Sequence, residues 1–425
     1  MRPWQARAGL LAAACLAHGR GLRGVFQYDD FNVIVHNPAV HDLGHWHRGL
    51  RPLLTLSYAL NWAADPGPFG FLCVNLALHA LNILLVHELI RALAPRLGLG
   101  ERAELPALAG ALVFALHPVQ TEAVAYVSGR SASLMATGFL AALLAVVRGR
   151  PVAALLGFGC AVAAKETALI FPAVVLILPD GDGEPAPRWV RRGIPILGLG
   201  LLGGLLLHPA YGRLVGFSLE VRGASAQLQS ALVGFGYLGR KLLWPVGLNI
   251  DPPLAVPGGW TSGTASTLLI LVGLGALAGA AARRRPWLAF GFSCFLLTLL
   301  PVLGPLPRLD PANERHLYLP LAGGAILVAG LCAEPRLRPW ALPAAAVACG
   351  LMALGLQVRL GDYRSEIALW ESSLRVAPDN ARARNNLGTA LALAGRRAEA
   401  QEAYREALRL RPDYTLAREN LRGLE

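Results

Sequence analysis

Lysine is almost missing from this 425-residue chain. Lys165 and Lys241 are the whole supply, and arginine carries every other fixed positive charge of a side chain. Charge of either sign is scarce too, at 16% of residues, where soluble domains hold about a quarter. With 54% hydrophobic residues and a mean hydropathy of +0.46, a soluble globular chain is excluded. The six cysteines (Cys15, Cys73, Cys160, Cys294, Cys332, Cys349) all lie in apolar stretches with no CxxC pairing, which excludes a disulfide or metal framework. There is no P-loop, no GxGxxG after a strand, no HExxH and no GxSxG in a strand–turn–helix setting. His36, His41, His45 and His47 follow one another at spacings of 5, 4 and 2, a poor pattern for a metal site. No cofactor and no divalent metal are expected.

What the chain has is a series of apolar runs, several long enough for the roughly 20 residues that cross a bilayer. Candidate spans fall near 5–25, 69–93, 105–123, 132–148, 194–209, 263–282, 286–303, 316–334 and 339–358. The start, with "AGLLAAACLA", has the look of a signal peptide but is read as an uncleaved first span because so many follow. The net charge of +12 is explained by arginines at the ends of these runs: Arg91, Arg96 and Arg102; Arg148 and Arg150; Arg188, Arg191 and Arg192; Arg283 to Arg285; Arg336 and Arg338. That is the positive-inside pattern rather than a nucleic-acid footprint. If all five connectors are cytoplasmic, 151–178 enters and leaves on one side as two short legs around "AAKET" (163–167), a broken backbone tolerated where it lines a cavity. The expectation is then an all-α polytopic protein of eleven spans, N-terminus inside and C-terminus outside.

The long outer loops are 24–68, 210–262 and 304–315. In the first, "LRPLLTLSYALNWA" (50–63) repeats Leu50, Leu53, Leu54 and Tyr58 at helical spacing, as in a helix lying at the interface. "LVGFGYLGRKLLWPVGLNIDPP" (232–253) has the same mixed character. Beyond residue 360 the composition turns charged. "APDNARARNNLG" (377–388) returns 34 residues later as "RPDYTLARENLR" (411–422), and "IALWESSLRVAP" (367–378) as "QEAYREALRLRP" (401–412). A 34-residue helix–turn–helix period is the tetratricopeptide pattern. Two domains are expected, 1–360 in the membrane and 361–425 as a short repeat unit.

Four sets of polar residues stand out. Asp29 and Asp30 sit among Phe26, Tyr28 and Phe31, either as a solvated loop tip or as a base beside a low-dielectric surface. "ALHPVQTEAVAYVSGRSASLMA" (115–136) carries His117, Glu122 and Arg130 at the outer end of the third span, with Pro118 breaking the helix. Lys165 and Glu166 interrupt an otherwise apolar stretch, either as a self-neutralising pair that caps a tight hairpin or as functional groups, since ionisable residues at membrane depth are costly and functional by default. "NERHLYLPLAG" (313–323) offers Glu314, Arg315, His316 and Tyr318. Arginine matches a phosphate through bidentate hydrogen bonds, while Tyr318 is equally well explained as an interfacial anchor.

"FQYDD", "RPLLTLSYALNW", "ALHPVQTEAVAYVSGR", "AAKET", "RKLLWPVGLNID", "ERHLYLP" and the terminal repeats occur in that order, and together the chain resembles the transmembrane and tetratricopeptide-repeat O-mannosyltransferases. The resemblance implies a GT-C-type helical membrane glycosyltransferase that takes a mannose-like hexose from a polyprenyl-phosphate donor. It carries the catalytic acidic motif over to Asp29, with Asp30 beside it, in an inverting displacement onto a protein or glycan hydroxyl. By position, Arg315, Lys165 and Arg130 are nominated for the donor phosphate. His117, Glu122, Glu166 and Glu314 would orient groups or hold the sugar. The site and the repeats would face the periplasm of a bacterial inner membrane, or the lumen if the chain is eukaryotic. The arginine- and alanine-rich composition points to a bacterial member. Here the repeats number about two, so acceptor capture, docking of a partner and self-association are all open for them. Two other readings remain: a lipid-linked oligosaccharide flippase, polymerase or ligase, and a non-enzymatic membrane scaffold built around the repeats.

Overall fold

The computed structural model describes residues 3–100, 103–179, 187, 189–304 and 310–424, with main chain alone for Pro3, Arg191, Leu214, Ser218 and Leu219. Arg102, Arg188 and residues 305–309 of the third expected loop lie outside the described residues. Among the described residues there is no strand, and the architecture is all-helical.

Among the described residues five helices are long and apolar enough to cross a membrane: Pro68–Leu97, Val127–Val147, Ser262–Ala281, Pro286–Leu303 and Arg338–Asp362. Two bent pairs raise the number to seven: Glu104–Leu116 with Pro118–Ala125, turned by 53°, and Ile194–Leu207 with Pro209–Phe217, turned by 74°. Pro151–Ala164, Glu166–Leu176 and Pro320–Ala333 are apolar but shorter. With Pro3–His18, each of the eleven expected segments coincides with a helix or helix pair, but length and composition support at most seven as spans. The chain is a multi-pass membrane protein.

The exposed faces agree with an apolar solvent. In Ser262–Ala281 only 11% of the span window is buried, and Leu269, Ile270 and Val272 face outward. The bundle interior is instead held by close contacts between small residues, as suits helices in lipid. Gly138 faces Gly157 and Ala161 so closely that a Cβ there would come within 2.8 Å of the Gly157 carbonyl oxygen. Gly323 meets Gly291 and Phe295 in the same way, fastening Pro320–Ala333 to Pro286–Leu303.

The helix expected in the first loop forms as Pro52–Ala64, burying Leu54, Tyr58 and Ala59. After Asp362 come four further helices, Glu366–Val376, Ala381–Leu393, Arg397–Leu410 and Thr415–Arg422. Ser365 caps the first by accepting from the Ala368 N–H, and Asn380 caps the second by accepting from Ala383. Leu369, Trp370, Leu374, Ala383 and Ala390 of these helices belong to the same hydrophobic core as the membrane helices. The change of composition near residue 360 is therefore no break in packing.

The two ends of the bundle differ. At one end Glu88 is bonded by Arg7, Arg91 and Arg148, and Arg91 also pairs with Glu104. At the other end lie the acidic motif, the Pro118 break, Lys165, Arg315 and the C-terminal helices.

Candidate active site

Residues 24–30 leave the first helix through Gly24 and reach Tyr28, whose φ of 48° makes it the one non-glycine among the described residues with a left-handed backbone. Such a conformation costs a side-chain-bearing residue about 1–2 kcal/mol. It turns the two aspartates in different directions. Asp30 is completely buried and accepts from the Gln27 N–H (3.0 Å), the Ser128 N–H (2.7 Å) and the Ser128 hydroxyl (2.5 Å). Burial pushes its carboxyl up to about 7, against the pull of those donors. Asp29 keeps 40% of its side chain exposed, and its Oδ2 lies 4.0 Å from Arg315 Nη2. Its main-chain N–H donates to the Tyr126 hydroxyl at 2.9 Å. The adjacent pair is therefore divided into one anchored carboxyl and one open one.

Arg315 is the hub of this end. The turn Glu314–Leu317 presents it to Glu122, whose Oε2 accepts from the Arg315 N–H at 2.9 Å while Oε1 lies 3.4 Å from Nη1. The guanidinium also stands over the Tyr126 ring, 5.9 Å from its centroid. The bend at His117 and Pro118 makes this possible by turning 118–125 out of the helix axis. Proline has no N–H to continue the ladder and restricts the residue before it.

Arg315, His316, Lys165, Thr167 and Thr298 share a narrow cavity with Met135 and Leu319. Two cations nominated from the sequence are thus brought together, 150 positions apart. Glu166 points elsewhere, into a bidentate pair with Arg51 at 2.9 Å through each oxygen.

Arg130 is placed differently. It is fully buried and donates to Asn75 Oδ1, the Ser57 carbonyl and hydroxyl, and the Phe71 carbonyl, with its guanidinium over the rings of Tyr58 and Phe71. It is not a lining residue of the cavity that holds Lys165 and Arg315; it ties the Pro52–Ala64, Pro68–Leu97 and Arg130–Val147 helices together. His117 likewise has both ring nitrogens occupied: Nδ1 accepts from the Val119 N–H and Nε2 donates to the Leu242 carbonyl, which defines a neutral tautomer. Glu314 accepts from the Tyr237 hydroxyl, the Asn249 N–H and Arg359 Nη2. Burial raises its carboxyl to about 7, outweighing Arg359.

The histidines of the first loop do not converge. His41 stacks on Trp62, and His45 bonds Asp42 at 2.5 Å. Among the described residues no group of three or more His, Cys, Asp and Glu is placed to hold a metal ion.

Tyr126, Ser128, Arg51, Arg359, Glu366 and Trp370 were not singled out by sequence reasoning. Tyr126 and Ser128 stand between Glu122 and Arg130, so proximity to those residues was a usable signal. Arg359 and Glu366 gave none, because what makes them matter is a contact with residues far away in the chain.

No family model matches the chain, and no solved structure matches it. Curated relatives do. Protein O-mannosyl-transferase TMTC4 of Mus musculus is 30% identical over 93% of this chain and 65% of its own length. A protein O-mannosyl-transferase of Caenorhabditis elegans is 24% identical over 95% of this chain and 62% of its own. Protein O-mannosyl-transferase Tmtc3 of Drosophila melanogaster is 28% identical over 86% and 49%. The chain spans less than two thirds of the length of each. Across nearly all of its own length the chain is similar to these protein O-mannosyl-transferases.

Proposed function

We propose that this protein is a membrane glycosyltransferase that moves a mannose-like hexose from a polyprenyl-phosphate donor to a hydroxyl of a protein or glycan. The observation that carries the reading is the placement of an open carboxyl, Asp29, 4.0 Å from an arginine that shares a cavity with a lysine. A base next to two cations suits displacement at a sugar whose leaving group is a phosphate. Asp29 takes the proton of the acceptor hydroxyl as its oxygen bonds to the anomeric carbon. The bond from that carbon to the phosphate oxygen breaks, and the electron pair leaves with the polyprenyl phosphate. Arg315 and Lys165 meet the charge that builds there, so the leaving oxygen needs no proton.

In this reading Asp30, Arg130, His117, Glu122, Glu166 and Glu314 position the site through the bonds that each makes within the protein. The eleven helical segments form a GT-C-type membrane unit. The helices after Asp362 form a short tetratricopeptide unit, on the same periplasmic or luminal side as the site. The names of the relatives support the activity and the acceptor class.

The test is transfer from a polyprenyl-phosphate mannose to a Ser/Thr-rich peptide by the purified full chain. The Asp29→Asn variant should lose transfer by a factor of about 10²–10⁴ while keeping the thermal midpoint of the parent. Full activity in that variant would sink the reading. Movement or transfer of whole glycans, with no single sugar transferred, would favour a flippase, polymerase or ligase.

A further inference from the structure

The main chain just before Asp29 is held from an unexpected quarter. The Tyr28 N–H donates to Glu366 Oε1 at 3.2 Å, and its ring meets Trp370 edge to face, with centroids 5.0 Å apart. Gln27, fully buried, donates from Nε2 to the Tyr363 carbonyl at 2.6 Å. All three partners lie at the start of the C-terminal helices. The unit that carries them is latched a second time. Arg382 pairs with both Asp251 and Asp310, Asn380 donates to Asp251 at 3.1 Å, and the Ser373 hydroxyl donates to Asn249 at 2.7 Å.

We propose that Glu366 and Trp370 are positioning residues for Asp29, holding Tyr28 in its left-handed backbone so that the open carboxyl faces Arg315. This rests on the reading of Asp29 as the base. A tyrosine does not choose φ = 48° unaided. The residue after Asp29 is fixed independently by Ser128, and the Asp29 N–H is held by the Tyr126 hydroxyl, so the part of the turn left for the C-terminal helices to fix is Tyr28. Glu366 supplies the acceptor for the Tyr28 N–H, and Trp370 supplies the wall for the ring. The C-terminal unit thus takes part in building the acidic turn, beside any use it has in meeting a partner.

Two readouts separate this from a general loss of stability. In the transfer assay Glu366→Ala should lower kcat about tenfold or more with donor KM and thermal midpoint little changed. Glu366→Gln, which keeps an acceptor oxygen, should restore at least half of it. Independently of activity, a thiol placed by Asp29→Cys should react with a membrane-impermeant maleimide at a rate changed severalfold when Glu366→Ala is added. The gain or loss should vanish with Glu366→Gln. An unchanged labelling rate overturns the proposal, as does a kcat equal to the parent. If the parent transfers no sugar while labelling still responds to Glu366, the catalytic reading fails and the positioning of the turn stands. If Glu366→Ala does not fold, Trp370→Leu, which removes the ring that meets Tyr28 but keeps an apolar group, carries the same two measurements: a lower kcat and a changed labelling rate are expected, and an unchanged labelling rate overturns the proposal.

Discussion

At the residue scale, the adjacent aspartates show how much can separate two neighbours of identical chemistry. Asp30 spends its carboxyl on three donors in a sealed site, so Asp30→Asn leaves at least one donor facing an amide N–H₂. We expect a loss of about 1–3 kcal/mol in unfolding experiments in detergent, against none for Asp29→Asn. Burial holds both Asp30 and Glu314 near 7 in the folded protein, above the roughly 4 of an unfolded carboxyl. The folded state therefore binds more protons between those values. The stability these groups contribute is fully present below about pH 4 and is lost as pH rises through about 7. Thermal midpoints should fall from pH 5 to pH 8, and Glu314→Gln should flatten that slope. An equal slope in parent and variant would contradict the assignment.

At the element scale, helices were the easiest part to read from the sequence. The apolar runs are long, and the Pro118 break and the arginine-bearing turns are local signals. The 34-residue period beyond residue 360 likewise anticipated the C-terminal helix pairs. What stayed hidden is how the elements meet. Arg130 looked like a free cation because nothing in its neighbourhood announces the carbonyls of Ser57 and Phe71, which arrive from two other helices. Lys165 and Arg315 could be nominated one by one, but their shared cavity depends on packing. That packing relies on glycines: Gly138→Leu would drive a side chain into the main chain at Gly157 and Ala161. Overpacking of a tight helix pair costs about 1–3 kcal/mol or more. The variant should melt lower, whereas Gly203→Leu, with open space around it, should not.

At the scale of the whole molecule, the C-terminal helices and the membrane helices share one core and one set of ion pairs. Arg382 bridges Asp251 and Asp310 across the two regions. Arg382→Ala should leave the bundle folded yet raise amide hydrogen exchange at residues 249–251 and 366–376 together. Faster exchange in only one of the two segments would argue against a joint latch. The expected boundary near residue 360 was read from composition, which reports on solvent. It could not report the burial of Trp370 against Tyr28 from the other end of the chain.

Those contacts also set an order of events during biosynthesis. Gln27 and Tyr28 wait for Tyr363, Glu366 and Trp370, which leave the ribosome only after nearly all of the chain has been made. Until then the acidic turn lacks its outer wall, whatever the state of the helices already in the bilayer. On the proposed reading, a stalled or truncated chain that ends before residue 363 would lack the contacts that aim Asp29 and would be silent in the membrane rather than indiscriminately active.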